Sequence, residues 1–302
     1  MADAPTLQGT EANARRHDIL IGIGDFSDSR IPRLPHCHND VQLLAGALKR
    51  TPWPGFRAPQ QTVISTQGGQ DLGARTNILR SIEAGLGKVR KADGLILAYS
   101  GHGVSSNGES YLVPADGMAD DVETLISFTW IKELLDDVDA NIKIILIDAC
   151  HSGDSKITFK QPGAEMAFNE AALLRTAFQT ASRGVAYATS CRHDEVALVQ
   201  REGGYSIWMK SLADAIEAAH GLPAGTPIAM EQVISSAARE SSDVAQRDWA
   251  RTQTSFFGIK AEGLIFLGLS TGTNTTSPVF SPPPSRDFNE LVLEVLEVTW
   301  RS

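Results

Sequence analysis

Two short runs carry groups able to do covalent chemistry together. Ser100-Gly-His-Gly sets an imidazole, His102, between two glycines, and Asp148-Ala-Cys-His-Ser-Gly supplies a thiol, Cys150, 48 residues later. Each directly follows an apolar run, GLILAY in the first case and IKIILI in the second. A free thiol with a pKa near about 8.5 is little ionised at neutral pH, and a neighbouring imidazole activates it by stabilising the thiolate or accepting the proton. If the two runs are adjacent parallel strands, their carboxyl ends lie side by side, and His102 and Cys150 can act as base and nucleophile. Gly101 and Gly103 allow a sharp turn and close approach of backbone to substrate. The N–H groups of Gly103 and Cys150 suit an oxyanion hole for a tetrahedral intermediate. His151 is a poor partner for Cys150, because successive residues point apart. A buried cysteine alone is more often a small hydrophobe, and an SGHG turn alone a plain loop. It is the pairing of both with preceding strands that points to chemistry.

The elements that must position these groups alternate along the chain. Apolar runs at Asp18 to Ile23, Gln61 to Thr66, Gly94 to Tyr99, Ile142 to Ile147, Gly184 to Thr189 and Leu264 to Leu269 predict strands. Between them, helical periods cover Asp40 to Arg50, Ala74 to Arg90, Trp130 to Val138, Glu165 to Ala181, Ser206 to His220 and Ile228 to Val244. Near-continuous apolar strands alternating with amphipathic helices imply an α/β fold, a mostly parallel sheet of about six strands with helices on both faces. Ligands of such folds bind beyond the carboxyl ends of the strands. Asn107 to Thr124 is expected to be a polar surface loop around one short strand, Tyr111 to Val113. Residues 1–14 read as a flexible N-terminus, the Ser/Thr/Pro-rich stretch 271–286 as a linker, and 287–302 as the start of a further element.

Composition narrows the function class. A chain of 302 residues that is 42% hydrophobic can bury a large core. A formal net charge of −9 disfavours nucleic acid as a partner. Three cysteines (Cys37, Cys150 and Cys191), an odd number, argue against a disulfide framework and for a reducing, cytoplasmic setting. The first residues lack the apolar core of a signal peptide, and no run approaches about 18 apolar residues, so neither secretion nor a membrane span is expected.

YSGHG (Tyr99 to Gly103) with DACHSG (Asp148 to Gly153) resembles the caspase-like cysteine peptidases, and most of all their metacaspase and orthocaspase branch. The likeness extends to CHND (Cys37 to Asp40), ATSC (Ala188 to Cys191) and GGYSIWMKSLADAI (Gly203 to Ile216), and spans roughly residues 15–270. It implies the three-layer caspase-hemoglobinase fold, with a large-subunit-like part to about 155, a linker over 155–183 and a small-subunit-like part over 184–270. It also implies His102 and Cys150 as the catalytic dyad, and Cys37, Asp40, Ser100 and Asp148 as the S1 pocket that holds the side chain before the cut. Two carboxylates in a partly desolvated slot would pair a guanidinium or ammonium strongly, so the resemblance implies cleavage of proteins after Arg or Lys. For these residues bland alternatives stay open: Asn39 or Asp40 as a helix N-cap, Asp148 as a turn cap, Cys37 as plain core.

No organic cofactor is implied. Cys191 and His193 lack the further ligands of a zinc site. Calcium, which several metacaspases need, has hard oxygen ligands on offer in Asp116, Asp120, Asp121 and Glu123, but these lie out of the family's register, where SFTW (Ser127 to Trp130) stands instead. Lys156, Lys160, Arg175 and Arg183 are candidate sites for processing by the protein itself or by an activating protease. A catalytically silent signalling scaffold that keeps the fold but acts on a signalling partner through the tail after residue 286, and a thiol amidase acting on small substrates, are the alternative functions.

Overall fold

The computed structural model describes residues 14–54, 57–149, 164–165, 184–192, 195–261 and 263–273. Strand β1 (Arg16–Gly22) leads to helix α1 (His36–Lys49), β2 (Gln60–Ser65) and α2 (Arg75–Leu86). Then come β3 (Gly94–Ser100), the short strands β4 (Gly103–Ser106), β5 (Glu109–Leu112) and β6 (Ile126–Ser127), helix α3 (Phe128–Asp137) and β7 (Ile142–Asp148). Beyond β8 (Ala164–Glu165) and β9 (Gly184–Thr189) lie α4 (Ile207–Ala219), β10 (Pro227–Ala229), α5 (Met230–Trp249), β11 (Phe256–Ala261) and β12 (Phe266–Leu269). The helix expected over Glu165 to Ala181 and the candidate processing sites fall outside the described residues.

The central sheet has six strands in the order β11-β9-β7-β3-β1-β2. All pairings are parallel except that of β11 with β9. Strands β1, β3 and β7 are buried at every position, and the period of two along them divides their side chains between two cores. Ile19, Ile21, Leu97 and Ile147 face α2 and α3, whereas Leu20, Ile96, Ile144 and Leu146 face α1, α4 and α5. Burial of each such aliphatic side chain is worth roughly 1.5–3 kcal/mol, which is why both helical layers are held.

One expectation needs correction. The run Leu264 to Leu269 contributes β12, but β12 pairs antiparallel with β10 in a separate two-stranded sheet. The sixth strand of the main sheet is the less apolar β11. The polar stretch Asn107 to Thr124 does hold one short strand, β5, and with β4, β6 and β8 from outside that stretch it forms a four-stranded antiparallel sheet, β6-β5-β4-β8. Asn107 and Gly108, with φ of 52° and 78°, form the two-residue turn between β4 and β5, in which Ser106 pairs Glu109.

A buried arginine ties the layers together at the end of the sheet opposite the strand tips. Arg16 grips Asp18 through two hydrogen bonds of 2.7 and 3.1 Å, and donates to the carbonyls of Leu48 at 2.6 Å, Thr51 at 2.9 Å and Leu267. The end of α1 and strand β12 are thereby fastened to β1. Among the described residues no helix is long and apolar enough to cross a membrane.

Candidate active site

The site begins with the register of β3 against β7. Ser100 pairs with Asp148, so the two strands end level, and the Gly101 N–H extends the ladder by donating to the Asp148 carbonyl at 3.0 Å. His102 stands two residues past the end of β3. Cys150 stands two residues past the end of β7 in the sequence and lies outside the described residues.

His102 is fully buried and its ring orientation is fixed from several sides. Nε2 lies 2.8 Å from the carbonyl oxygen of Pro32. A carbonyl can only accept, so in the neutral ring the proton sits on Nε2 and Nδ1 is the basic nitrogen. The ring packs at a tilt on Phe26, with centroids 5.2 Å apart. The His102 carbonyl accepts from the Tyr99 hydroxyl at 2.9 Å and the Val113 N–H at 3.0 Å. Gly101 and Gly103 are absent from the positive-φ positions, so conformational freedom is not why glycine stands there. At Gly101 the reason is space, since a Cβ would lie 2.4 Å from the Tyr99 hydroxyl. At Gly103 the ladder matters: the bond from Val113 N–H to His102 makes the Gly103–Leu112 pair one that exchanges no hydrogen bonds. The Gly103 N–H is therefore turned away from β5.

Beside the strand ends, Cys37, Asp40, Ser100 and Asp148 come together from α1, β3 and β7. Asp40 accepts from the Ser100 hydroxyl at 2.8 Å and from the Ser206 N–H at 2.9 Å. The Ser206 hydroxyl donates to Asp148 at 2.5 Å and accepts from the Met209 N–H at 3.0 Å, capping α4. The Ser190 hydroxyl also binds Asp148, and Ser100 contacts the Cys37 thiol. Burial first, then the charge of Asp148, pushes Asp40 up to about 8. Burial likewise raises Asp148, against the pull of Ser190 and Ser206. The Cys37 thiol is raised well above its ordinary range by burial and by the Asp40 charge. Among the described residues the groups acting on the two carboxylates include no lysine or arginine. The slot thus has two acids and, among the described residues, no internal cation.

The N-cap reading of Asn39 or Asp40 does not hold. Helix α1 begins at His36 after Pro35, so neither Asn39 nor Asp40 is its cap, and Asn39 instead donates to the Gly204 carbonyl at 2.8 Å. Asp148 is the last residue of β7, and its carboxylate reaches across to Ser206, while the turn that follows lies outside the described residues. Ser206 and Ser190 were not singled out by the sequence. A serine before Ile-Trp-Met signals a cap, but nothing local signals a partner 58 positions earlier in the chain. His36 was also missed. Burial, then the nearby His102 and His38, pushes it down to about 4.

The acidic residues considered for calcium have separate partners. Asp120 binds Arg30 at 2.8 Å, Asp116 accepts from the Arg75 N–H at 2.7 Å, and Asp121 caps the turn at Glu123 at 3.0 Å. In SFTW, Ser127 caps α3 through the Trp130 N–H, and its hydroxyl donates to Glu109 at 2.9 Å. Thr129 Oγ1 binds the same Glu109 carboxylate at 2.6 Å. Cys191 is buried, with Sγ 3.8 Å from the Glu195 carbonyl, and His193 lies outside the described residues.

A mostly parallel sheet between two helical layers thus carries a histidine and two acids at its carboxyl end. The model of the caspase domain matches residues 15–253, and the chain belongs to the caspase family of cysteine peptidases. Among solved structures it is similar to Caspase-1 from Spodoptera frugiperda, at 15% identity and a TM-score of 0.56 over 88% of this chain and 94% of that one. It is also similar to pro-sf-caspase-1, at 14% identity and a TM-score of 0.55 over 88% and 99%. A protein from Geobacter sulfurreducens gives 15% identity and a TM-score of 0.52 over 82% and 94%. At these identities the structural likeness is one of fold. No curated protein matches the chain in sequence.

Proposed function

We propose that the chain is an endopeptidase of the metacaspase or orthocaspase type that cleaves proteins after Arg or Lys in regulated proteolysis, cell death or defence signalling. The observation that carries the specificity is the pair Asp40 and Asp148, both buried, both serving Ser206, with no cation among the described groups acting on them. A guanidinium or ammonium entering the slot supplies the missing charge, and a neutral or acidic side chain does not.

In the mechanism His102 Nδ1 takes the thiol proton of Cys150 as the sulfur attacks the scissile carbonyl carbon. The N–H groups of Gly103 and Cys150 stabilise the oxyanion. His102 then returns the proton to the leaving amine as the C–N bond breaks, leaving a thioester. Water, deprotonated by His102, hydrolyses the thioester and restores the thiol. The carbonyl of Pro32 holds the ring in the tautomer these steps require.

The test uses fluorogenic peptides bearing Arg, Lys or Asp before the cut, with wild type, Cys150→Ala and Asp40→Asn. Wild type should cleave the Arg and Lys peptides, and Cys150→Ala neither. Losing one member of a buried charge pair costs about 2–5 kcal/mol, so Asp40→Asn should lower kcat/KM at least about thirtyfold. Cleavage after Asp alone would overturn the specificity. Absence of cleavage with calcium present and after prior proteolysis would favour a scaffold, and turnover of small amides alone would favour an amidase.

A further inference from the structure

The Arg/Lys pocket leaves two features without a use. A guanidinium is held by carboxylates and gains nothing from a thiol or an imidazole, yet Cys37 and His36 both stand beside Asp40. The first turn and a half of α1 brings one ligand atom from each of His36, Cys37 and Asp40 to within 4.8 Å of one another. His36 and Asp40, four apart, share a helix face. A nitrogen, a sulfur and an oxygen form a mixed donor set that suits zinc rather than calcium or magnesium, and three protein ligands leave one position for water. Asp40 is held in place by Ser100 and by Ser206, as metal-ligating carboxylates usually are. Asp148 adds a second acid nearby, so the same shortage of cations among the described residues that favours a basic side chain favours a divalent metal.

We propose that His36, Cys37 and Asp40 form a zinc-class metal site at the floor of the pocket, and that metal bound there excludes the basic side chain of a substrate. On binding, the Cys37 S–H and Asp40 O–H bonds break, both protons leave to solvent, and thiolate–metal and carboxylate–metal bonds form, with no change of oxidation state. The exclusion rests on the Arg/Lys reading of the pocket; the metal site does not.

The full chain carrying Cys150→Ala, which removes the nucleophile as a competing ligand, is titrated with Co2+ and then with Zn2+. One equivalent of Co2+ should give a near-ultraviolet thiolate charge-transfer band that Zn2+ abolishes. Cys37→Ser in that background should lose the band, Cys191→Ser should keep it, and His36→Gln should raise the Zn2+ Kd at least about tenfold. A missing band, a band that survives Cys37→Ser, or an unchanged Zn2+ Kd in His36→Gln overturns the site. A peptide ending in Arg should raise the apparent Zn2+ Kd, and one ending in Asp should not. Metal binding that is indifferent to the Arg peptide, in a protein whose wild type cleaves after Arg, overturns the exclusion alone. A Cys37-dependent band in a protein that never cleaves after Arg or Lys leaves the metal site standing and removes the specificity.

Discussion

The raised Asp40 carboxyl makes a prediction about folding that requires no catalysis. In the folded protein Asp40 keeps its proton to about pH 8, against an ordinary value of 3.8. Between those limits the folded state binds a proton that the unfolded state has released. The associated stability is fully present below about pH 4 and is lost as pH rises through about 8. Within that window the slope is about 1.4 kcal/mol per pH unit, or on the order of 3 kcal/mol from pH 5 to pH 7. Asp40→Asn is the clean perturbation, because an amide fits the same partners: its oxygen accepts from the Ser206 N–H and its nitrogen donates to Ser100. The assay is urea denaturation read by tryptophan fluorescence, with Cys150→Ala in both proteins to prevent self-cleavage. Relative to Asp40→Asn, the parent should lose stability steadily from pH 5 to pH 7. A difference that is flat with pH, or that moves the other way, would refute the argument that Asp40 is protonated in the resting pocket.

Three further substitutions test the framework around the site. Ser206→Ala removes a helix cap worth about 1 kcal/mol and a hydrogen bond to a buried carboxylate worth about 1.5–3 kcal/mol, so the urea midpoint should fall accordingly. Gly101→Ala puts a Cβ 2.4 Å from the Tyr99 hydroxyl; overpacking of this kind costs roughly 1–3 kcal/mol, and calorimetry should record a lower Tm. Arg16→Met strands the buried Asp18 and should destabilise by about 3–5 kcal/mol, whereas the double variant Arg16→Met with Asp18→Leu should recover much of the loss in the same urea assay.

What the sequence discloses here depends on whether a signal is local. The runs ending on Ser100 and Asp148 are apolar and short, so their strand character follows from pattern, whereas their parallel adjacency is a condition of the sequence reading that the pairing of β3 with β7 meets. Strand β11 is only half-buried along its length and carries Gly258 in its middle, where a Cβ would meet the Tyr187 hydroxyl at 2.1 Å. An edge strand packed against an aromatic ring on its neighbour needs less apolar character than a central one, so the more apolar Leu264 to Leu269 drew the assignment that belongs to Phe256–Ala261. The β4–β5 hairpin was legible, since Asn107-Gly108 is the preferred pair for its turn, but the polar residues around it read as a loop. The link from Ser206 to the acids was not legible, because a capping serine announces its helix and not its long-range partner.

That link also explains how the slot tolerates two buried acids. Asp40 comes from α1 and Asp148 from β7, both ahead of the segment 150–183, whereas Ser190 and Ser206 come after it. Among the described residues Ser206 alone hydrogen-bonds both carboxylates, through its N–H on Asp40 and its hydroxyl on Asp148, while anchoring the first turn of α4. The acids therefore keep their two bonds from Ser206 only when α4 is docked against α1 and the sheet, leaving Asp40 with Ser100 and Asp148 with Ser190 when it is not. Loss of that docking would leave two buried acids short of donors, at a cost of about 1–3 kcal/mol for each bond lost. Pocket assembly and attachment of the second half of the chain are in this way one event. A substitution that loosens α4 should weaken binding of a basic side chain even when every residue lining the slot is unchanged.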